Sequence, residues 1–469
     1  MEKSKLITLL KTFNSSELKQ FSDFVASPYF NTNEDLIRFW DYLVRWAPDF
    51  PKGKLKKEKV FGAVYPGQPF DGKQLGYLMN YLLKLGERFL GMQHYEQKTQ
   101  LEQFHILKEF SNRDLNKHFN FLYKKMSASL EEAGKENSEN TYYRFLLSEL
   151  ASDHAIHLKS KSFDRYFQQA TDHLDEFYFV NKLKFSCEML NRQKILSSDY
   201  QLHFAEEVKS YLMEHDHHNP LTSIYLQIYQ ILESAETAEL FDRLMDLIKA
   251  QGSKIQREEL RTIYLYAINF SLRNMRKGER RFISIALDLY LEGIKSRALF
   301  EEEYLSPRTY TNVIKVALMS ERYDWIEEFI QTYHHYLPPK DKEDALHYSL
   351  AELFYHRKDY DKVLEHLNQL QFSDIQYHIG SRVLLLKTFY ESDEIDAMLS
   401  LLASFSTYLR RNKNISQGFK KTHLNFCNLF HQTMRLNHRN WEALREQIQT
   451  TQPLAERSWL LKVWEERRM

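Results

Sequence analysis

Residues 344–370 read DALHYSLAELFYHRKDYDKVLEHLNQL. Leu350, Ala351 and Phe354 lie on one side of a polar turn, Arg357-Lys-Asp359. Tyr360 comes just after the turn, with Val363, Leu367 and Leu370 three, seven and ten residues further on. Apolar residues at spacings of three and four form one face of a helix, so the stretch predicts two helices joined by a tight turn. A single helical hairpin cannot bury its apolar face, whereas a stack of hairpins can.

The pattern recurs in both directions. Its anchor, the residue just after the turn, falls at Phe163, Tyr200, Thr237, Phe282, Tyr323, Tyr360, Ile395 and Trp441. The intervals are 37, 37, 45, 41, 37, 35 and 46 residues, the range of helix–turn–helix repeats. The unit before the quoted one carries Tyr323, Ile326 and Ile330 and closes at Pro338; the unit after it carries Leu385-Leu386, Phe389, Ile395, Met398, Leu402 and Phe405. These three units resemble the tetratricopeptide repeat, with Leu350-Ala351 in place of the family's Leu-Gly pair, Phe354 at its aromatic position and Tyr360 after the turn. They depart from it in lacking most of the early Trp and small-residue positions, and most intervals exceed the family's period of about 34. The likeness covers about 300–340, 340–372 and 380–410, within a looser array from about 100 to 450.

Residues 1–97 differ. They hold Pro28, Pro48, Pro51, Pro66 and Pro69, half of the ten prolines. Ser27-Pro-Tyr-Phe-Asn31 and Tyr65-Pro-Gly-Gln-Pro-Phe-Asp-Gly72 are turns in which proline sets φ and Asn or Asp caps the next helix. Asn14 with Glu17, Asn31 with Glu34, and Asp71 with Gln74 read as helix starts; Ser306-Pro307 and Asn219-Pro220 place a cap before a first-turn proline. About five helices forming a cap are predicted here. Its two proline turns look like those of uncharacterised bacterial helical-repeat proteins of the Bacteroidota type, a likeness over the first 95 residues that brings no activity with it.

The expected fold is therefore all-α: an N-terminal helical domain over 1–97, a tetratricopeptide-like α-solenoid of antiparallel hairpins over 98–450, and a capping helix over 451–469. Composition agrees. Gly and Pro together make up only 23 of 469 residues, which leaves little room for tight hairpins or phosphate-cradling loops. The charge balances, with 64 basic and 64 acidic side chains, against a generally basic nucleic-acid binder. Mean hydropathy is −0.57, and no apolar run reaches the length of a membrane span. Cys187 and Cys427 are too few for a disulfide framework, and a cytoplasmic location is expected.

Chemistry-bearing motifs are few. Gly62 and Gly67 have the first Walker spacing, but Gln68-Pro69 stands where Lys-Ser/Thr is needed. No nucleophile elbow, dinucleotide fingerprint or His-Glu-x-x-His is present. Glu214-His-Asp-His-His218 has metal-ligating residue types but reads as the polar turn before the Asn219-Pro220 helix start. The expectation is a non-enzymatic protein without a cofactor or metal. The resemblance to tetratricopeptide units implies that the first helix of each hairpin lines a concave groove for a protein or peptide partner. In the three best units that groove holds Arg308, Thr311 and Lys315; Tyr348, Glu352 and Tyr355; and Val383, Lys387 and Tyr390. Aromatic rings supply contact area and cations fix carboxylates. The alternative is a nucleic-acid-associated regulator that meets phosphates with the basic turns at 52–59 and 273–281, or with the cluster at 410–421.

Overall fold

The computed structural model describes residues 1–132, 135–157, 165–196, 199–215, 219–234, 238–371, 375–412, 415–435 and 440–468. The chain is all-α, with 23 α-helices among the described residues. Among the described residues the named strands are one two-residue antiparallel pair, β1 (Phe300–Glu301) with β2 (Tyr304–Leu305). No helix among them is long and apolar enough to cross a membrane. The anchors Phe163 and Thr237 lie outside the described residues.

The chain divides into two compact units, Met1–Gly134 with Ser138–Tyr178, and Lys135–Asn137 with Phe179–Met469. The first unit opens with α1 (Lys5–Leu10), α2 (Ser15–Ala26), α3 (Glu34–Val44), α4 (Lys57–Val64) and α5 (Gly72–Gln97). These five share one core around Phe21, Phe39, Trp40 and Phe61. Then come α6 (Thr99–Asn112), α7 (Asn116–Glu132) and α8 (Ser138–His157), which enclose a second, smaller core around Leu107, Phe119 and Met126. Helix α9 (Arg165–Leu196) begins in the first unit and ends in the second.

The second unit continues with α10 (Ala205–Glu214), α11 (Pro220–Glu233), α12 (Ala238–Gln251), α13 (Arg257–Arg276) and α14 (Arg281–Lys295). After the strand pair come α15 (Pro307–Leu318), α16 (Tyr323–Tyr333), α17 (Lys342–His356), α18 (Tyr360–Leu367), α19 (Ile375–Glu391) and α20 (Ile395–Arg411). The chain ends with α21 (Gln417–Arg435), α22 (Trp441–Thr450) and α23 (Arg457–Arg468). Each helix from α13 to α20 packs on the next, and α17 also packs on α15 and α19. One hydrophobic cluster runs from Val180 to Leu384 and another from Ile379 to Trp464. Helix α23 is part of the latter: Trp459, Leu460, Val463 and Trp464 are buried beside Phe430 and Trp441.

Local chemistry explains the helix ends. Asn14 accepts from the Glu17 N–H while the Glu17 carboxylate takes the Asn14 N–H, a reciprocal capping box. Ser306 and Asn219 cap helices whose first residue is proline. Asp71 caps α5 by accepting from the Lys73 and Gln74 N–H groups. The cap of α3 is Asn33, not Asn31: its Oδ1 accepts from Asp35 and Leu36, while Asn31 braces the turn by donating to the Val25 carbonyl. With glycine scarce, the hairpin turns put other residues in the left-handed conformation, Asp114, Glu321, Lys358 and Asp393, at φ between 55° and 64°. At three such turns the next N–H reaches back five residues, Leu115 to Phe110, Asp359 to Phe354 and Glu394 to Phe389, as in a Schellman cap. Glu321, Lys358 and Asp393 each lie two residues before an anchor, Tyr323, Tyr360 or Ile395. Tyr323 and Tyr360 are partly buried against the long core and Phe282 wholly so.

Candidate functional site

The second unit contains a cavity of about 550 Å³. Its walls come from three helices: Arg308, Thr311 and Lys315 on α15, Tyr348 and Glu352 on α17, Val383 and Lys387 on α19. Residues three, four or seven apart share a helix face, so each set lies on one side of its helix. Seven of the nine residues expected in the groove therefore line one cavity. Arg308 and Lys315 are exposed, Thr311 and Glu352 partly buried, Tyr348 and Val383 buried.

Tyr355 and Tyr390 are not among its lining residues. Each lies further along its helix axis than the lining residues, where α23 covers it. The Tyr355 hydroxyl donates to Glu391 at 2.5 Å, and the indole N–H of Trp459 on α23 donates to the same carboxylate at 3.0 Å. The Tyr390 ring meets Trp459 at 5.5 Å between centroids, and its hydroxyl donates to Glu466 at 3.3 Å. The phase of α17 and α19 places both rings on the right face, but a helix more than 60 residues away in sequence occupies that part of it.

Sequence reasoning missed other lining groups. Lys340 and Asp341 come from the turn before α17, Tyr377 and Gly380 from α19, His423 from α21, and Glu456 from the turn before α23. Gly380 carried a signal, a glycine inside an apolar helical run. A Cβ there would lie 2.7 Å from the Tyr348 hydroxyl oxygen and 3.0 Å from its ring, so only glycine lets Tyr348 lie against α19. Glu456 had no local signal, because its partner Lys387 is 69 positions away.

The charged groups of the cavity are of two kinds. Inside, the Tyr348 hydroxyl donates to Glu352 at 2.7 Å and the Lys387 ammonium donates to Glu456 at 2.9 Å. Lys387 also lies 4.7 Å over the Tyr355 ring, and its side chain is only 12% exposed. Burial would raise the Glu352 pKa, but Lys315, Lys387 and the Tyr348 hydrogen bond together hold it below the usual carboxylate value. Burial would lower that of Lys387, yet Glu456, Glu352 and Glu391 keep it above the ordinary amine value. Burial pushes His423 down. At the mouth, Arg308, Lys315 and Lys340 have no salt-bridge partner among the described residues. The cavity thus presents two cations, Arg308 and Lys340, without a salt bridge among the described residues, and a third, Lys315, that faces the Glu352 carboxylate.

The basic turns are engaged within the chain only in part. At 52–59, Lys52 pairs with Glu2 at 3.5 Å and Lys54 lies 4.0 Å over the Trp46 ring. At 273–281, Arg273 lies against Phe270, and Arg281 pairs with Asp242 at 3.4 Å and sits over Phe282. Lys413 of the third basic cluster lies outside the described residues. So do Asp216, His217 and His218; His215 contacts the Tyr211 carbonyl through Nδ1. Among the described residues no three His, Cys, Asp or Glu side chains converge as a metal site would need. Cys187 and Cys427 are both buried thiols. No known protein family, curated protein or solved structure matches the chain.

Proposed function

We propose that this protein is a non-enzymatic scaffold or adaptor of the cytoplasm, its hairpins stacked as a tetratricopeptide-like solenoid whose concave side binds a segment of another protein. The observation that carries the reading is the convergence of α15, α17 and α19 on one cavity whose lining includes Arg308, Lys315 and Lys340, none of them in a salt bridge among the described residues. A charge-assisted hydrogen bond from each contributes about 1.5–3 kcal/mol when its acceptor is a carboxylate. The partner segment is therefore acidic and meets Arg308 and Lys315. Lys387, expected from its helical phase to face the partner, acts from below by holding Glu456 and the wall it belongs to.

The test is affinity capture followed by mass spectrometry, with nuclease present, using the native chain and the triple variant Arg308→Ala, Lys315→Ala, Lys340→Ala. A protein recovered by the native chain and lost from a folded triple variant supports the reading. Recovery that survives the triple variant but is lost when Lys52, Lys54, Lys56, Lys57 and Lys59 are neutralised overturns it in favour of the basic turns.

A further inference from the structure

Helix α5 buries Leu75, Leu78, Leu82, Leu85 and Phe89 in the N-terminal core. Its other face carries Lys73, Tyr77, Tyr81, Lys84 and Arg88, all exposed. At 3.6 residues per turn these five fall within about 80° of one another and span about 22 Å of helix. Tyr77 and Tyr81 are 55% and 54% exposed, and Tyr29 in the neighbouring proline turn is 82% exposed. Large rings so open to water are costly unless something covers them. Lys73, Lys84 and Arg88 form no salt bridge among the described residues, and Glu87 is the single carboxylate in residues 73–91.

At the Arg88 end the stripe runs into a concavity of about 280 Å³ between α5 and the turn that leads into α3. Phe30, Leu36 and Leu85 give it apolar lining, and Tyr81, Lys84 and Arg88 line it from α5. Phe30 is held in place: it stacks on Phe24 at 4.0 Å and lies under the Arg88 guanidinium at 4.9 Å. Asn33 also lines it. Its Oδ1 is committed to the Asp35 and Leu36 N–H groups, which leaves its amide NH2 as the donor available to a ligand.

We propose that this face binds single-stranded nucleic acid. Bases stack on Tyr77 and Tyr81, one base enters the concavity beside Phe30 with its polar edge toward Asn33, and phosphates pair with Lys73, Lys84 and Arg88. Exposed rings flanked by cations on one surface are how single strands are held without sequence readout, since every base offers a π-face and every linkage a charge. An acidic peptide would satisfy the three cations and leave the two tyrosine rings uncovered. The site lies in the first unit and is independent of the cavity between α15 and α23, so each can fail alone.

Fluorescence anisotropy of the full chain with an end-labelled oligothymidylate of about 15 nucleotides, at low salt, tests the proposal. Binding should weaken as salt rises. Tyr77→Ala with Tyr81→Ala should weaken it about ten- to a hundredfold while circular dichroism stays unchanged. Tyr77→Phe with Tyr81→Phe should retain it, because stacking needs the ring and not the hydroxyl. Lys84→Glu with Arg88→Glu should abolish it. The proposal is overturned by no binding at about 100 μM protein, by binding indifferent to the tyrosine-to-alanine pair, or by equal affinity for a polyglutamate of matching charge. Loss of binding only on neutralising the 52–59 lysines also overturns it and moves the contact to that turn.

Discussion

The helices α1–α5 and the helices α13–α20 bury aromatic residues in opposite ways. In the first region the rings meet at a centre: Phe21 lies within 4.8 to 6.5 Å of Phe13, Phe24, Trp40 and Phe89, side chains from four separate segments. In the second the core is drawn out along the chain, each helix covering the next. Tyr310, Phe329 and Trp325, for instance, stack only within α15 and α16. A shared centre makes five helices stand or fall together. If the second region is the proposed solenoid, a local loss there passes to neighbours and no further.

The largest effects test that contrast directly. Phe21→Ala should cost about 3–5 kcal/mol, from lost transfer energy and the cavity left behind. Amide exchange should then rise together throughout α1–α5. Tyr310→Ala also empties a fully buried site and removes a hydroxyl bonded to the Ile330 carbonyl at 3.3 Å. Its exchange should rise first in α15–α18 and leave α21–α23 protected. A uniform rise over the whole second unit would break the comparison and, with it, the proposed solenoid.

Gly380→Ala acts on the floor of the cavity. The added carbon meets the Tyr348 hydroxyl at 2.7 Å, and overpacking of this kind costs about 1–3 kcal/mol. Thermal denaturation should show a fall of several degrees, together with loss of partner recovery as Tyr348 is pushed off Glu352. Gly418→Ala, also helical but with open space around its Cβ position, should instead raise the midpoint slightly.

The Glu352 carboxylate makes the second region acid-sensitive. Its folded pKa is held below the ordinary carboxylate value of 4.5, so its contribution is present above that value and is lost as pH falls through the folded value. Melting of Glu352→Gln between pH 7 and pH 3 should show a flatter profile than the native chain below about pH 5; equal slopes would show that the carboxylate gains nothing from Lys315 and Lys387.

The smallest expected changes distinguish how the two regions make their turns. Lys358 sits at φ 59°, which costs a side-chain-bearing residue about 1–2 kcal/mol and glycine almost nothing. Lys358→Gly should therefore be neutral or stabilise by up to about 1 kcal/mol in denaturant melts, after the greater freedom of the unfolded chain is subtracted. Pro66→Ala in the N-terminal turn should destabilise by about 0.4–1 kcal/mol for the opposite reason, since proline restrains the unfolded chain there.

Helix starts at Asn14, Asp71, Asn219 and Ser306, the turns before Tyr323, Tyr360 and Ile395, and the all-α class were legible because capping groups, prolines and apolar periodicity act over three or four residues. The resemblance to tetratricopeptide units put Arg308, Thr311, Lys315, Tyr348, Glu352, Val383 and Lys387 in one expected groove, and these seven line one cavity. Tertiary structure alone decided the rest: that α23 lies over Tyr355 and Tyr390, that Lys387 is held by Glu456 across 69 positions, and that Gly380 makes room for Tyr348. These pairings join segments whose meeting depends on how many helices pack in between. Periodicity says which face of a helix is buried, and it is silent about what buries it.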